Sequence, residues 1–120
     1  MPGYGATEIA ARASTLLADV NALAEVAVPH PVDDNVELSR FEIKDDGRVV
    51  GIADYQVEDD RVLLPHTEVD PALRGSGLGA ELIRAALDAI RDSGRGVVPQ
   101  CSYVAHFIAE HPDYQDLVAP

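Results

Sequence analysis

Apolar residues recur along this chain with two different periods, and the change from one to the other divides it. Between residues 7 and 27, Ile9, Ala13, Leu16, Leu17, Val20, Leu23, Ala24 and Ala27 fall at helical spacing. Thr7 can cap the start of that helix and Glu8 suits its first turn, while Pro29 and Pro31 end it. Residues 28–35 read as a linker. Residues 38–44 then alternate in part and lead to the hairpin signal Asp45-Asp46-Gly47. A strand over 48–57, a turn at Glu58-Asp59-Asp60 and a strand over 61–69 complete an antiparallel meander. Gly51, inside the second strand, marks a bulge or a close backbone approach.

The helical period returns after Asp70-Pro71. Leu78, Leu82, Ile83, Ala86, Leu87 and Ile90 form one apolar stripe on a helix over 77–92, which Gly94 is placed to end. A short strand over 97–101 follows, and Pro99 implies an edge, a bulge or a strand end there. Residues 102–110 read as a helix stopped by His111-Pro112, with one last turn over 113–118. No repeat or low-complexity tract is visible. The fold class is therefore α/β (α+β): a mixed sheet of an antiparallel meander followed by a β-α-β unit, with an extra N-terminal helix. The domain division is 1–34 for that helix and linker, and 35–120 for the sheet-bearing unit.

The crossover over 61–101 should be right-handed and should make its two strands parallel. Ligands of such sheets gather at the carboxyl ends of the strands, beside the helix start. Glu68, the glycine loop after it and Cys101 all meet there.

Composition narrows the function. The chain is 47% hydrophobic but 5% aromatic, without tryptophan, so its core rests on Val, Leu, Ile and Ala. Its 21 acidic and 9 basic residues give a net charge of -12. Nucleic-acid binding, which needs a basic face, is not expected. The acidity can draw a cationic substrate such as an amine, or only keep the protein soluble. Cys101 is the single cysteine, so no internal disulfide can form. The first residues show neither a basic nor an apolar leader region, and no apolar run approaches the roughly 18 residues of a membrane span. The expectation is a soluble, cytoplasmic protein that engages no membrane.

The segment Arg74-Gly75-Ser76-Gly77-Leu78-Gly79-Ala80 opens a helix directly after a strand. Glycines let the backbone approach a ligand closely, and the free N–H groups of a first helical turn favour an anion. A pyrophosphate fits. No Gly-Lys-Ser/Thr follows, so this is not a Walker A loop, and glycines two apart do not match G-x-G-x-x-G. A glycine-rich helix start that binds nothing is the alternative. The segment also resembles the R/Q-x-x-G-x-G/A motif of the GNAT superfamily of N-acetyltransferases. Further blocks look like its short YjdJ-like branch: Gly47-Arg48-Val49-Val50-Gly51, His66-Thr67-Glu68-Val69, Pro99-Gln100-Cys101-Ser102-Tyr103-Val104, and His111-Pro112-Asp113-Tyr114 with Asp116-Leu117-Val118. The resemblance spans residues 35–118. It implies that acetyl-CoA is the cofactor. Backbone groups of Gly75, Gly77, Leu78, Gly79 and Ala80 would hold its pyrophosphate, with Arg74 beside it and Val69 pairing with the pantetheine arm. The two parallel strands would splay around the thioester, a splay that Pro99 suits.

Acyl transfer to an amine needs a neutral amine and a proton for the leaving thiolate. His66 and Glu68 share one face of a strand, and either can take the amine's proton; both can equally be ordinary surface residues. Larger members of the superfamily carry a base glutamate further upstream, where this chain has Leu63 and Leu64. Cys101, at a helix start, can accept the acyl group or protonate the thiolate, or it can be an inert buried thiol. His106, five residues on, does not share its face. Tyr103 can donate a proton, but is assigned to the core; Tyr114 and His111 are expected to pack the C-terminal turn. The four histidines lack metal-ligand spacing, and no metal site is expected. The N-terminal helix can pack on the domain or pair with a second copy, so the chain is a monomer or a homodimer. Three functions remain open: an N-acetyltransferase acting on a small-molecule or protein amine, an acyl-CoA-binding module without turnover, and an adaptor that has lost coenzyme A.

Overall fold

A computed structural model describes residues 30–120. The helix expected over 7–27 lies outside the described residues. Strands β1 (Val32–Asn35), β2 (Arg40–Asp45), β3 (Arg48–Glu58) and β4 (Arg61–Val69) precede a 3-10 turn over Pro71–Leu73. Helix α1 (Leu78–Asp92), strand β5 (Gly96–Val98), helix α2 (Ser102–Glu110) and a 3-10 turn over Pro112–Leu117 complete the described chain. The five strands lie in one sheet in sequence order, antiparallel from β1 to β4 and parallel between β4 and β5. The mixed sheet, the meander and the β-α-β unit thus stand as the sequence implies.

Two boundaries move. Residues 32–35, expected in the linker, form β1 and pair with residues 40–43 of β2. Val-Asp-Asp-Asn carries no apolar alternation, so only its backbone pairing makes it a strand. The strand expected over 97–101 closes at Val98. Pro99 has no N–H to offer a ladder, and the Cys101 N–H turns back to the Leu64 carbonyl at 2.9 Å. Cys101 therefore caps α2 instead of ending β5.

Both bulges matter for the site. Ile43 pairs with Gly51 but Lys44 with Val49, leaving Val50 as the extra residue of β3. Gly51 is also a close approach: a Cβ there would meet Ile43 Cγ2 at 2.9 Å and the Glu68 carbonyl at 3.2 Å. Further along, Asp54 pairs with His66 and Gln56 with Leu63, so Leu64 and Pro65 oppose Tyr55 alone.

Helix α1 crosses the sheet, touching all five strands and α2. All six residues of its expected stripe are buried. Leu82, Ile83 and Leu87 are fully so, against Ile43, Leu64, Val97 and Val104. Leu82→Ala should cost about 2–5 kcal/mol, the usual loss for emptying a fully buried leucine site. Calorimetry should show Tm falling by roughly 4–8 °C for each kcal/mol lost; a Tm within about 2 °C of the parent would contradict this packing. The C-terminal turn locks onto the same helix. The Tyr114 hydroxyl donates to Asp88 at 2.7 Å, and Arg91 pairs with Asp116 at 2.9 Å. His111 stacks on Phe107 with ring centroids 3.9 Å apart. Both Tyr114 and His111 thus pack the turn as expected.

Candidate functional site

The site begins where β4 and β5 part. Their pairing covers only Arg61–Leu63 against Gly96–Val98. Past it, Pro99 lacks the N–H group a ladder needs, and Cys101 to Leu64 is the last bond across. Pro65 turns its N–H-less nitrogen toward β3, at the bulge opposite Tyr55, and is visible in the sequence as a proline inside a strand. A cleft of about 740 Å³ opens there, between the outer half of β4 and the starts of α1 and α2. His66, Glu68, Val69, Arg74, Gly79 and Tyr103 are among its walls.

The glycine loop forms its far end. Asp70 Oδ1 accepts from the Ala72 N–H at 3.0 Å and starts the 3-10 turn. Gly75 and Gly77 then take φ of +85° and +89°, which L side chains rarely adopt. Gly77 caps α1. Among the described residues, the N–H groups of Gly75, Gly77, Leu78, Gly79 and Ala80 donate to no protein acceptor. They lie at the positive end of a 15-residue helix. Arg74 is exposed and joins no ion pair among the described residues.

His66 and Glu68 project from the same face of β4, as their spacing requires. His66 Nε2 and Glu68 Oε2 stand 2.9 Å apart, with both side chains more than half exposed. Between them Thr67 faces inward, and its Oγ1 is buried with no partner among the described residues.

Tyr103 departs from expectation. It is 44% exposed and lines the cleft instead of the core. The buried positions of α2 are Val104, Phe107 and Ile108, and Tyr103, one turn before Phe107, lies at the edge of their stripe. Spacing alone allows either placement; the open cleft beside the α1 start leaves the ring exposed. Its hydroxyl rests against the first turn of α1, where a Cβ on Gly79 would stand 2.8 Å from the oxygen. Gly79 is thus the glycine that admits Tyr103.

Cys101 is half-buried and packs against the core; it is not a wall of the cleft. Burial pushes its thiol up. The Val104 and Tyr103 amides oppose this in favour of the thiolate, and the pKa lies below the usual thiol value. No capping hydrogen bond reaches the side chain, so these groups act as oriented dipoles at the helix start. His106 faces away and pairs with Glu110 at 3.3 Å. Among the described residues no helix is long and apolar enough to cross a membrane.

The arrangement joins a helix start with open N–H donors to a cleft holding a carboxylate–imidazole pair and an exposed phenol. Residues 40–117 match the family model of the GCN5-related N-acetyl-transferases. No curated protein sequence matches the chain significantly. Among solved structures, the NMR solution structure of a GCN5-like protein from Staphylococcus aureus is similar at a TM-score of 0.59 and 23% identity. That match covers 74% of this chain and 87% of that one. The crystal structure of the ribosomal-protein-S18-alanine N-acetyltransferase from Escherichia coli is similar at a TM-score of 0.51 and 22% identity. It covers 60% of this chain and 50% of that one. At these identities the two structures speak for the fold, while the family match spans most of the chain. This chain belongs to the GCN5-related N-acetyltransferase family and is an acetyltransferase.

Proposed function

We propose that the chain transfers the acetyl group of acetyl-CoA to an amine, on a small molecule or a protein, within the cleft beside β4. The observation that carries this reading is the set of N–H groups at the α1 start without partners among the described residues, four of them on residues that line the same cleft as His66, Glu68 and Tyr103. The residues present fit the cofactor. A pyrophosphate suits backbone donors at a helix start whose two left-handed glycines leave open space around them. Arg74 adds a fixed charge beside them, and the unpaired outer edge of β4 around Val69 offers backbone groups to an amide-bearing arm.

Bound there, acetyl-CoA supplies an acetyl group already activated as a thioester. The chain's part is to hold it and to move protons. The His66–Glu68 pair takes a proton from the incoming ammonium, directly or through one water, as the amine nitrogen bonds to the carbonyl carbon. Tyr103 Oη gives a proton to the sulfur as the carbon–sulfur bond breaks, and the second proton, shed by the nitrogen as it becomes an amide, restores the phenol. Both proton sites lie on the walls of one cleft, so neither step needs a large rearrangement.

A second reading has Cys101 accept the acetyl group first and pass it on. Its lowered thiol pKa at the α2 start favours this; its place behind the cleft wall favours direct transfer. Within the family we assign the chain to the short YjdJ-like branch, on the sequence blocks around Gly51, Glu68, Tyr103 and Tyr114. We assign residues 35–120 as the acyl-CoA unit, and the cytoplasm as its compartment.

Calorimetry with coenzyme A, followed by intact-protein mass spectrometry after mixing with acetyl-CoA, tests these readings. Binding, with acetylation of amines retained in Cys101→Ala, is the expected result. An added acetyl mass that disappears in Cys101→Ala would favour the relay. Binding without turnover on any amine would leave a non-catalytic acyl-CoA module. Absence of binding would remove the central claim.

A further inference from the structure

A second cavity, of about 560 Å³, lies against the cleft and shares Glu68, Val69 and Arg74 with it. It extends over the sheet to Arg40, Val49 and Ile52. Register explains its floor. Glu42, Ile52 and Glu68 are successive Cα partners on β2, β3 and β4, as are Arg40, Asp54 and His66. Residues paired across strands share a face, so the His66–Glu68 pair and Arg40 look out from the same side of the sheet, with Ile52 between them.

Arg40 is held there. Its Nε donates to Glu42 Oε2 at 2.8 Å, and Asn35 Nδ2 donates to the same oxygen at 3.1 Å. Glu42 is the one buried charged residue of the described core. A buried carboxylate gripping Nε fixes the guanidinium, while both terminal nitrogens stay without a partner among the described residues. Those two form the end-on fork that matches a carboxylate. Of the other charged groups of the cavity, the two carboxylates are engaged, while Arg74 joins no ion pair among the described residues. Asp70 caps the 3-10 turn and pairs with Arg48 at 3.4 Å, and Glu68 pairs with His66. Arg74 lies beside the glycine loop. Strand spacing puts the Cα atoms of Arg40 and Glu68 about 12 Å apart, and their side chains narrow that gap to the size of a small ligand.

We infer that this cavity receives the acceptor, and that the acceptor is a small amino-carboxylate of the α-amino-acid class. Its amine lies at Glu68 and His66, and its carboxylate on the free fork of Arg40. Val49, Ile52 and Pro71 line the space left for an apolar side chain. The inference rests on the acetyl-transfer reading above. It runs against the overall charge of -12, which alone would select a cationic amine. A fixed guanidinium in the cavity outweighs a diffuse surface charge screened beyond a Debye length of about 8 Å.

The test is acetyl transfer to leucine, leucinamide and isoamylamine, then to the other common amino acids against their carboxamides. Coenzyme A affinity is measured in parallel by calorimetry. We expect kcat/KM to favour the acid over its amide by about 10–100-fold, the worth of a charged hydrogen-bond pair. Arg40→Gln should remove that preference, chiefly through KM, and leave coenzyme A affinity unchanged. Because Arg40→Gln strips the partner from buried Glu42, the double variant Arg40→Gln/Glu42→Gln keeps a neutral pair there; its melting curve shows whether it folds, and it should lose the preference equally. Equal or better use of amides and decarboxylated amines, or an acid preference that survives the folded double variant, overturns the inference with acetyl transfer intact. A protein that does not bind coenzyme A at all sinks the prior reading as well, and so marks a different failure.

Discussion

Replacing Tyr103 with phenylalanine is expected to lower kcat for acetyl transfer by about 10²–10⁴-fold, the range for loss of a positioned general acid. Coenzyme A affinity should hardly change. The reason lies in where the ring is held. Val104, Phe107 and Ile108 anchor α2 in the core, so the helix and the ring position survive when only the hydroxyl is removed. The sulfur that departs belongs to an ordinary thiol, whose pKa near 8.5 makes a proton valuable at neutral pH. Tyr103 is the exposed phenol on the cleft wall. A companion variant sharpens the result. Gly79→Ala would place a Cβ 2.8 Å from the tyrosine oxygen and 3.3 Å from Cζ, so it must displace the ring. It should lower kcat by the same route, and the double variant should be no worse than Tyr103→Phe alone, because both changes remove one function. Steady-state rates alongside calorimetric affinities would decide. An unchanged kcat in Tyr103→Phe would take the proton-donor role away from this residue.

What could be seen in the sequence follows from where local pattern and tertiary placement agree. The α1 stripe was complete because Leu78 through Ile90 repeat at one period and the helix lies across the sheet on that stripe alone. The glycine loop was visible because the αL conformation at Gly75 and Gly77 needs glycine. β1 was hidden because Val32–Asn35 is an edge strand whose only credential is its pairing with β2. Tyr103 reads as core because it stands one turn before buried Phe107; its exposure comes from the cleft beside Gly79, which no local pattern records. The Arg40 cavity was not visible at all. Its floor depends on two registers at once, β2 on β3 and β3 on β4, each offset by a bulge that pattern alone does not locate. A glutamate at position 42 between Phe41 and Ile43 reads as a solvent-facing strand residue; that it is buried, and holds an arginine, is a property of the assembled sheet.

Gly77→Val should weaken coenzyme A binding by about 10–100-fold, the loss of one or two hydrogen bonds to a charged group. It should also cost about 1–2 kcal/mol of stability, the price of a left-handed conformation for a residue with a Cβ. Nothing lies within 4 Å of a Cβ built at Gly77, so the cost is conformational and no clash contributes. A β-branched residue resists φ of +89° more than most. The chain can relieve it only by rotating the loop peptides, and that turns the N–H groups at the α1 start away from the cleft. Gly94→Val provides the control. Gly94 has φ of +81° with equally open surroundings, but it follows the other end of α1. It should therefore lose similar stability while keeping coenzyme A affinity. Thermal melts and calorimetric titrations of both variants separate the two effects. Equal loss of affinity in both would mean that general destabilisation weakens binding; no loss in Gly77→Val would mean that the pyrophosphate is held elsewhere.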